Sequence, residues 1–107
     1  MRKFRKYDIV RHFKYETLSE SDKQSGLYMY QILEPIAVHT ETNELLIIYK
    51  SLHNGQVFAR PLKMFASPVD KAKYPDIMQE YRFELVEHCD KEVNYHRLKS
   101  VACSSQT

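Results

Sequence analysis

The stretch that decides the fold is LLIIYKSLHNGQVFAR, residues Leu45–Arg60. Two runs rich in branched and aromatic residues flank the dipeptide Asn54-Gly55, which supplies the positive φ angles of a type I′ turn between antiparallel strands. The stretch therefore predicts a tight β-hairpin. Counting outward from a two-residue turn places Tyr49 opposite Arg60, with Phe58 on the same face of the ribbon.

Further strands are predicted on both sides of this hairpin. Leu27–Glu34 alternates in polarity, and Pro35 marks a bulge or an edge before the chain continues through Ile36–His39. A turn at Thr42-Asn43 joins this strand to the hairpin as a three-stranded meander. First and last strands are expected within the segments Asp8–Lys14 and Arg82–Val86.

The connecting segments contain turn-forming and polar residues. Tyr15–Gly26 and Ala66–Tyr81 predict irregular loops, the second with one helical turn at Asp76–Glu80. Leu62–Phe65 follows Pro61 and predicts a short helical turn that plugs one end of the sheet. The fold class is therefore all-β, a small barrel or roll of about five antiparallel strands with a short helical turn.

Length, composition and termini restrict the range of functions. The chain has 107 residues, enough for one domain, which we divide into a basic arm (1–7), a β-roll domain (8–86) and a polar tail (87–107). Asp90 is a candidate N-cap for a C-terminal helix. Two glycines leave no material for a glycine-rich phosphate loop. No apolar run approaches the roughly 20 residues of a membrane span.

The two cysteines, Cys89 and Cys103, do not form a disulfide framework or match the spacing of a zinc site. Reduced thiols and the lack of a secretory signal favour a cytoplasmic protein. We expect no cofactor, no metal and no membrane contact.

The N-terminal arm interleaves basic and aromatic residues. Such a pattern can neutralise phosphates and stack on unpaired bases, so nucleic acid is one candidate partner. A solvated arm, or an arm docked on its own domain, explains the same composition. The basic residues concerned are Arg2, Lys3, Arg5 and Lys6.

Few polar residues of the predicted sheet could carry chemistry. His39 and Glu41 lie two residues apart, as an acid–base pair or two metal ligands would, but no third ligand lies nearby in the sequence. Arg60 could hold an anion, or it could lie over Tyr49 and pair with a carboxylate such as Glu41 or Glu44, which would tie the end of the sheet to a loop. A two-residue turn at Thr42-Asn43 sends His39 to the face opposite Arg60, and a bulge would reverse that.

Several strings in this order resemble the domain of unknown function 1653 family, a set of small bacterial proteins and domains. The resemblance covers roughly residues 8 to 86 and implies a small roll of the SH3-barrel type, without implying any particular activity. Its most specific part is the ordered pair of Ala37-Val38-His39-Thr40-Glu41-Thr42 and Arg60-Pro61-Leu62-Lys63-Met64-Phe65. Supporting strings are Arg11-His12-Phe13-Lys14, Tyr30-Gln31-Ile32-Leu33, Leu46-Ile47-Ile48-Tyr49 and Arg82-Phe83.

The leading functional hypothesis is a binding or interaction module for a protein, a nucleic acid or a small anionic ligand. The alternative is a small hydrolase-like enzyme that uses His39 and Glu41 for proton transfer, and a third is a structural accessory subunit. The candidate binding residues are His39, Glu41, Tyr49, Phe58, Arg60 and Lys14.

Overall fold

The computed structural model describes residues 3–93 and contains one five-stranded antiparallel sheet of order β4-β3-β2-β1-β5. The strands β4 and β5 form its two edges, so the sheet is a roll that does not close into a barrel. The predicted all-β class is confirmed. The strands are β1 (Ile9–His12), β2 (Met29–Val38), β3 (Leu45–Ser51), β4 (Val57–Pro61) and β5 (Phe83–Glu87).

The long strand β2 bends where the sequence predicts an irregularity. Its register against β3 shifts between Ile32 and Glu34 and again between Glu34 and Ala37. The second shift spans Pro35, which has no N–H to donate to a ladder. Bulges of this kind increase the twist of a strand, so β2 can pair with β1 at one end and extend with β3 at the other.

Short helices connect the strands. A 3₁₀ helix (Phe13–Thr17) follows β1, and α1 (Glu20–Lys23) begins after Ser19, whose hydroxyl accepts from the Asp22 amide. The prediction of an irregular loop over 15–26 is therefore wrong, because the sequence analysis overlooked Ser19 as a helix N-cap. The predicted helical turn after β4 is present as α2 (Leu62–Phe65).

The core of the roll is an aromatic and aliphatic cluster beneath α2. Phe65 and Phe83 stack in parallel, with ring centroids 3.9 Å apart, and both are inaccessible to solvent. Truncating either ring to alanine removes a fully buried side chain, which costs about 3–5 kcal/mol of stability. The buried members of this cluster are Val10, Ile32, Ile47, Tyr49, Phe65 and Phe83.

The β3–β4 hairpin forms, but its turn is longer than predicted. Ser51 donates its amide to the Gln56 carbonyl, so four residues make the loop. Gly55 has a φ of 77°, whereas Asn54 has a negative φ, and a type I′ turn is therefore excluded. The register is shifted by two residues, and Tyr49 pairs with Phe58 instead of Arg60. A shift of two preserves the faces, so these side chains remain together.

The segment between α2 and β5 is irregular, as predicted, and is held by polar contacts. The carboxylate of Glu16 accepts from the amides of Met78 and Gln79, and Lys71 Nζ donates to the carbonyls of Ile77 and Gln79. No helix forms at residues 76–80, because these contacts occupy the amides of Met78 and Gln79 and the carbonyls of Ile77 and Gln79.

After β5 the chain lies across the sheet without forming a helix up to Val93. Buried Lys50 donates to the carboxylate of Glu92 and to the Val93 carbonyl. The C-terminal helix expected after Asp90, which was to carry Val93, Leu98, Val101 and Ala102, does not form at residues 90–93, and its remainder lies outside the described residues. Cys89 is disulfide-bonded, so the expectation of reduced thiols does not hold for this residue.

Candidate functional site

A polar cavity of about 360 Å³ opens where the end of β1, the end of β4 and the loop before β5 meet. Because β1 and β5 are antiparallel and His12 pairs with Phe83, the chain entering β5 lies beside the chain leaving β1. The polar side chains that line the cavity are His12, Lys14, Arg60, Asp70, Lys73 and Arg82. We call this the basic pocket.

Arg60 is held in the basic pocket from the core side. Its Nε donates a hydrogen bond of 3.1 Å to the hydroxyl of Tyr49, and its guanidinium carbon lies 6.0 Å from the ring centroid of Phe83. The sequence analysis expected Arg60 and Tyr49 to lie together, and the structure places them in contact. The bond to Tyr49 uses Nε of Arg60, so the four terminal N–H groups of the guanidinium can donate to other acceptors.

The charges of the basic pocket are not balanced within the described residues. Lys14, Arg60, Lys73 and Arg82 line it, and none of them has a carboxylate oxygen within 4.0 Å among residues 3–93. The carboxylate in the lining, Asp70, accepts from the amides of Ala72 and Lys73 through Oδ1. The pocket therefore presents an uncompensated positive charge.

Arg82 has an unsatisfied donor. Its Nε is buried and has no hydrogen-bond partner. A buried donor without an acceptor costs about 1–3 kcal/mol.

The pKa of His12 is lowered in the basic pocket. Burial, together with the charges of Lys14, Arg82 and Arg60, lowers the pKa of His12 from 6.5 to about 4. Its ring stacks against Phe13, with centroids 4.4 Å apart, and its Nδ1 accepts the Lys14 amide at 3.1 Å. The imidazole is therefore neutral at pH 7, with its proton on Nε2, where it is a hydrogen-bond donor.

The other residues predicted for the site lie apart from the basic pocket, except for Lys14. Phe58 packs against Tyr49 at the margin of the core, with ring centroids 5.6 Å apart. His39 and Glu41 are exposed at the tip of the β2–β3 hairpin, where His39 Nδ1 accepts the Glu41 amide.

His39 also lies on the opposite face of the sheet from Arg60. Its amide donates to the Glu44 carbonyl beyond the Val38–Leu45 pair, and its carbonyl accepts from the Asn43 amide, whereas Arg60 pairs with Ile47. Neighbouring residues of a strand alternate between faces, so the even-numbered Glu44 and the odd-numbered Ile47 point to opposite sides. The structure therefore offers no support for a joint site of His39, Glu41 and Arg60.

The sequence analysis missed Lys73 and Arg82 as pocket residues. Both lie in or next to the loop between α2 and β5, and no pattern in that loop indicates that it folds over the end of β1. His12 was not predicted either, although it precedes the candidate residue Lys14 by only two positions.

In the part of the chain that the structure describes, no three His, Cys, Asp or Glu side chains cluster closely enough to hold a metal ion. Within residues 3–93 there is also no helix with the length and apolar character needed to cross a membrane.

Comparison with known proteins identifies a family. No curated protein and no solved structure matches the chain. A family model described as "Protein of unknown function (DUF1653)" matches residues 8–85, a region that contains nearly all of the sheet and every residue of the basic pocket. Because this match extends over well more than half of the chain, the protein belongs to the DUF1653 family of proteins of unknown function.

Proposed function

We propose that the protein is a binding module whose basic pocket holds the phosphate or carboxylate group of a small anionic ligand. The observation that carries the proposal is the convergence of four cationic side chains that form no ion pairs within the described residues. Like charges gathered in one cavity repel each other, and a bound anion would convert this repulsion into attraction.

The donors of the basic pocket suit an oxyanion. Arg60 is preorganised by Tyr49, and a guanidinium can bind a carboxylate or phosphate with two parallel hydrogen bonds. Arg82 adds a second guanidinium to the lining, and neutral His12 adds an N–H donor. The set combines charge with directional donors, which is what separates an anion site from a merely basic surface.

The size of the pocket favours a small ligand or one terminal group of a larger one. Its volume of about 360 Å³ lies near the lower limit of ligand cavities, roughly 300–1,000 Å³. A protein partner would need a much larger contact surface. A nucleic acid would be held through a single phosphate here, so its affinity would fall with salt.

The proposal also includes the subtype of the fold, the bacterial origin and the cellular location of the protein. The family resemblance supports an SH3-type roll in a bacterial protein, and the low cysteine content supports a cytoplasmic location. Disulfides are rare in the cytosol, so the disulfide of Cys89 counts against that location. Titration of free thiols in protein trapped with an alkylating agent at lysis tests it.

The experiment is an NMR titration of the full-length ¹⁵N-labelled protein with inorganic phosphate, pyrophosphate, acetate and a short single-stranded oligonucleotide. At least one of these anions is expected to shift the signals of His12, Arg60 and Arg82 together, with saturation. The variant Arg60→Gln should weaken that binding by about tenfold or more, because it removes a charged hydrogen-bond donor.

The matched control is Lys63→Gln, which removes an equal charge from an exposed position on α2 outside the basic pocket. It should change the affinity by less than about twofold, since exposed charges are screened. Equal losses for both variants, or no saturable shift at the pocket with any of the four probes, would overturn the proposal.

A further inference from the structure

A second polar site lies at the opposite end of the β1–β5 strand pair. Asp8 immediately precedes β1 and His88 immediately follows β5, and Nδ1 of His88 lies 2.6 Å from Oδ1 of Asp8. Since the two strands are antiparallel, this pair is separated from His12 and Arg82 by the length of β1. The second site is therefore distinct from the basic pocket.

The pair has the geometry of an oriented general base. The side chain of Asp8 is 2% exposed, and its second oxygen accepts the amide of Arg5 at 2.8 Å. A carboxylate can only accept, so Nδ1 of His88 carries the proton and Nε2 holds a lone pair. The His88 side chain is 49% exposed, so Nε2 is accessible to a substrate, and the buried carboxylate stabilises the imidazolium that forms when Nε2 takes a proton.

The cavity around His88 contains two cationic side chains, Arg5 and Lys6, and two carboxylates, Asp8 and Asp90. A cavity of about 390 Å³ is lined by His88, Asp8, Arg5 and Lys6, together with Cys89 and Asp90. Arg5 and Lys6 belong to the basic N-terminal arm, and both line the same cavity as His88. The arm therefore brings phosphate-neutralising charge to a proton acceptor.

Within residues 3–93, the lining of the cavity supplies a base and cations but no hydroxyl nucleophile. These lining residues include no serine or threonine, their one lysine is Lys6, and Cys89 is disulfide-bonded. A substrate that carries its own nucleophile next to a phosphodiester would complete such a site. Single-stranded RNA does so through its 2′-hydroxyl.

We propose that the His88–Asp8 pair and the basic arm form a site that cleaves single-stranded RNA by internal transfer. His88 Nε2 accepts the proton of the 2′-hydroxyl, the 2′-oxygen forms a bond to phosphorus, and the bond from phosphorus to the 5′-oxygen breaks. The leaving 5′-oxygen receives a proton from the imidazolium, which returns His88 to its neutral form. The products are a 2′,3′-cyclic phosphate and a 5′-hydroxyl, while Arg5 and Lys6 neutralise the charge that builds on the phosphate.

The test uses the full-length protein with a short fluorogenic RNA and a DNA of the same sequence, and the products are identified by mass spectrometry. The wild type should cleave the RNA to a cyclic phosphate and leave the DNA intact. His88→Gln should slow cleavage by about 100-fold, the lower end of the contribution of a general base. The matched control His53→Gln replaces another exposed histidine outside the cavity and should cleave at the wild-type rate.

Asp8→Asn keeps the size of the side chain but removes the charge that stabilises the imidazolium, so it should lower kcat more than KM. Because Asp8 is buried, circular dichroism checks that the Asp8→Asn variant folds. If this variant does not fold, the result for His88→Gln, at a half-exposed position, tests the proposal. No cleavage by the wild type, equal rates for wild type and His88→Gln, or cleavage of RNA and DNA alike would each overturn the proposal.

Discussion

The Nε atom of Arg60 donates a 3.1 Å hydrogen bond to the hydroxyl of Tyr49, and this bond joins the core of the roll to its basic pocket. Tyr49 is 4% exposed and packs edge-on against Phe65, with centroids 5.0 Å apart. Packing in the core therefore holds the Tyr49 ring in place, and the hydrogen bond from Arg60 to Tyr49 restricts the orientation of the guanidinium. A cation positioned in this way loses little further freedom when it binds an anion.

Tyr49→Phe tests this positioning directly. The variant keeps the ring in the core but removes the acceptor for Arg60, so anion affinity should fall about threefold to tenfold, while the free energy of unfolding falls by about 0.5–1.5 kcal/mol. The NMR titration and urea unfolding measure the two effects. Tyr15→Phe, whose ring lies outside the basic pocket, should leave the affinity unchanged; a fall of the same size there would show that the effect is not specific to Arg60.

Anion binding should also raise the pKa of His12. The positive charges of Lys14, Arg82 and Arg60 contribute to its low value of about 4, and a bound anion would offset them. Binding and protonation are linked, so the anion that raises the pKa must also bind more tightly as the pH falls. The His12 ring signals, followed by NMR from pH 3 to 8 with and without saturating phosphate, measure the shift. An unchanged pKa at saturation would contradict binding near this ring.

The low pKa of His12 makes the fold sensitive to acid. Between pH 6.5 and about 4 the unfolded chain holds a proton on this imidazole and the folded chain does not, so acid favours unfolding in this window and the contribution is fully present above pH 6.5. After allowance for solvent screening, the loss by pH 4 is about 1–2 kcal/mol.

His12→Asn should remove this part of the pH dependence, since asparagine can still accept the Lys14 amide but does not titrate. Urea unfolding of wild type and variant between pH 4 and 7 gives the difference. The control His53→Asn removes an exposed imidazole and should follow the wild-type curve. Parallel curves for wild type and His12→Asn would show that His12 does not carry the effect.

The sequence was sufficient to predict the strands because their patterns are local. Alternation, proline positions and the Asn54-Gly55 turn located all five strands and α2, and the shared face of Tyr49, Phe58 and Arg60 was preserved although the register was shifted by two. Turn length was harder to predict, since the Ser51 hydroxyl accepts from the amides of His53 and Asn54. That contact stabilises a wider loop than the dipeptide alone indicates.

The basic pocket could be predicted only in part, because it depends on contacts between distant parts of the chain. Lys14 and Arg60 lie on predicted strands or next to them, but Lys73 and Arg82 reach the pocket through an irregular loop. That loop is fixed by Glu16, which is more than 60 residues away from the Met78 and Gln79 amides that it accepts. No local sequence pattern encodes such a contact.

Glycine substitutions test the backbone conformation of the β2–β3 and β3–β4 turns. Asn43 has a φ of 61°, a conformation that glycine adopts without strain, so Asn43→Gly should be neutral or stabilise the fold by up to about 1 kcal/mol. Asn54 has a negative φ and its Oδ1 accepts the Gln56 amide at 2.9 Å, so Asn54→Gly should destabilise by about 1 kcal/mol. Thermal unfolding compares the two variants. A stabilising Asn54→Gly would instead favour the type I′ turn.

Gln31 connects the two chain segments that flank the Asp8–His88 pair, and its replacement should destabilise the protein strongly. The side chain is fully buried, donates to the carbonyls of Tyr7 and Lys91, and accepts the amide of Val93 at 2.8 Å. Gln31→Leu leaves three polar backbone groups without their partner, so the free energy of unfolding should fall by about 3 kcal/mol or more.

Urea unfolding measures this loss. The matched control is Gln24→Leu at the exposed position directly after α1, which is expected to lie within about 0.5 kcal/mol of wild type. In the variant, the Val93 amide should exchange faster with solvent hydrogen because its local acceptor is lost. The amides of β3 should still exchange only by global unfolding, so their protection should fall only by as much as the free energy of unfolding does. A loss below 1 kcal/mol would mean that water replaces the glutamine. The segments before β1 and after β5 would then be held by their other contacts, chiefly Lys50 with Glu92.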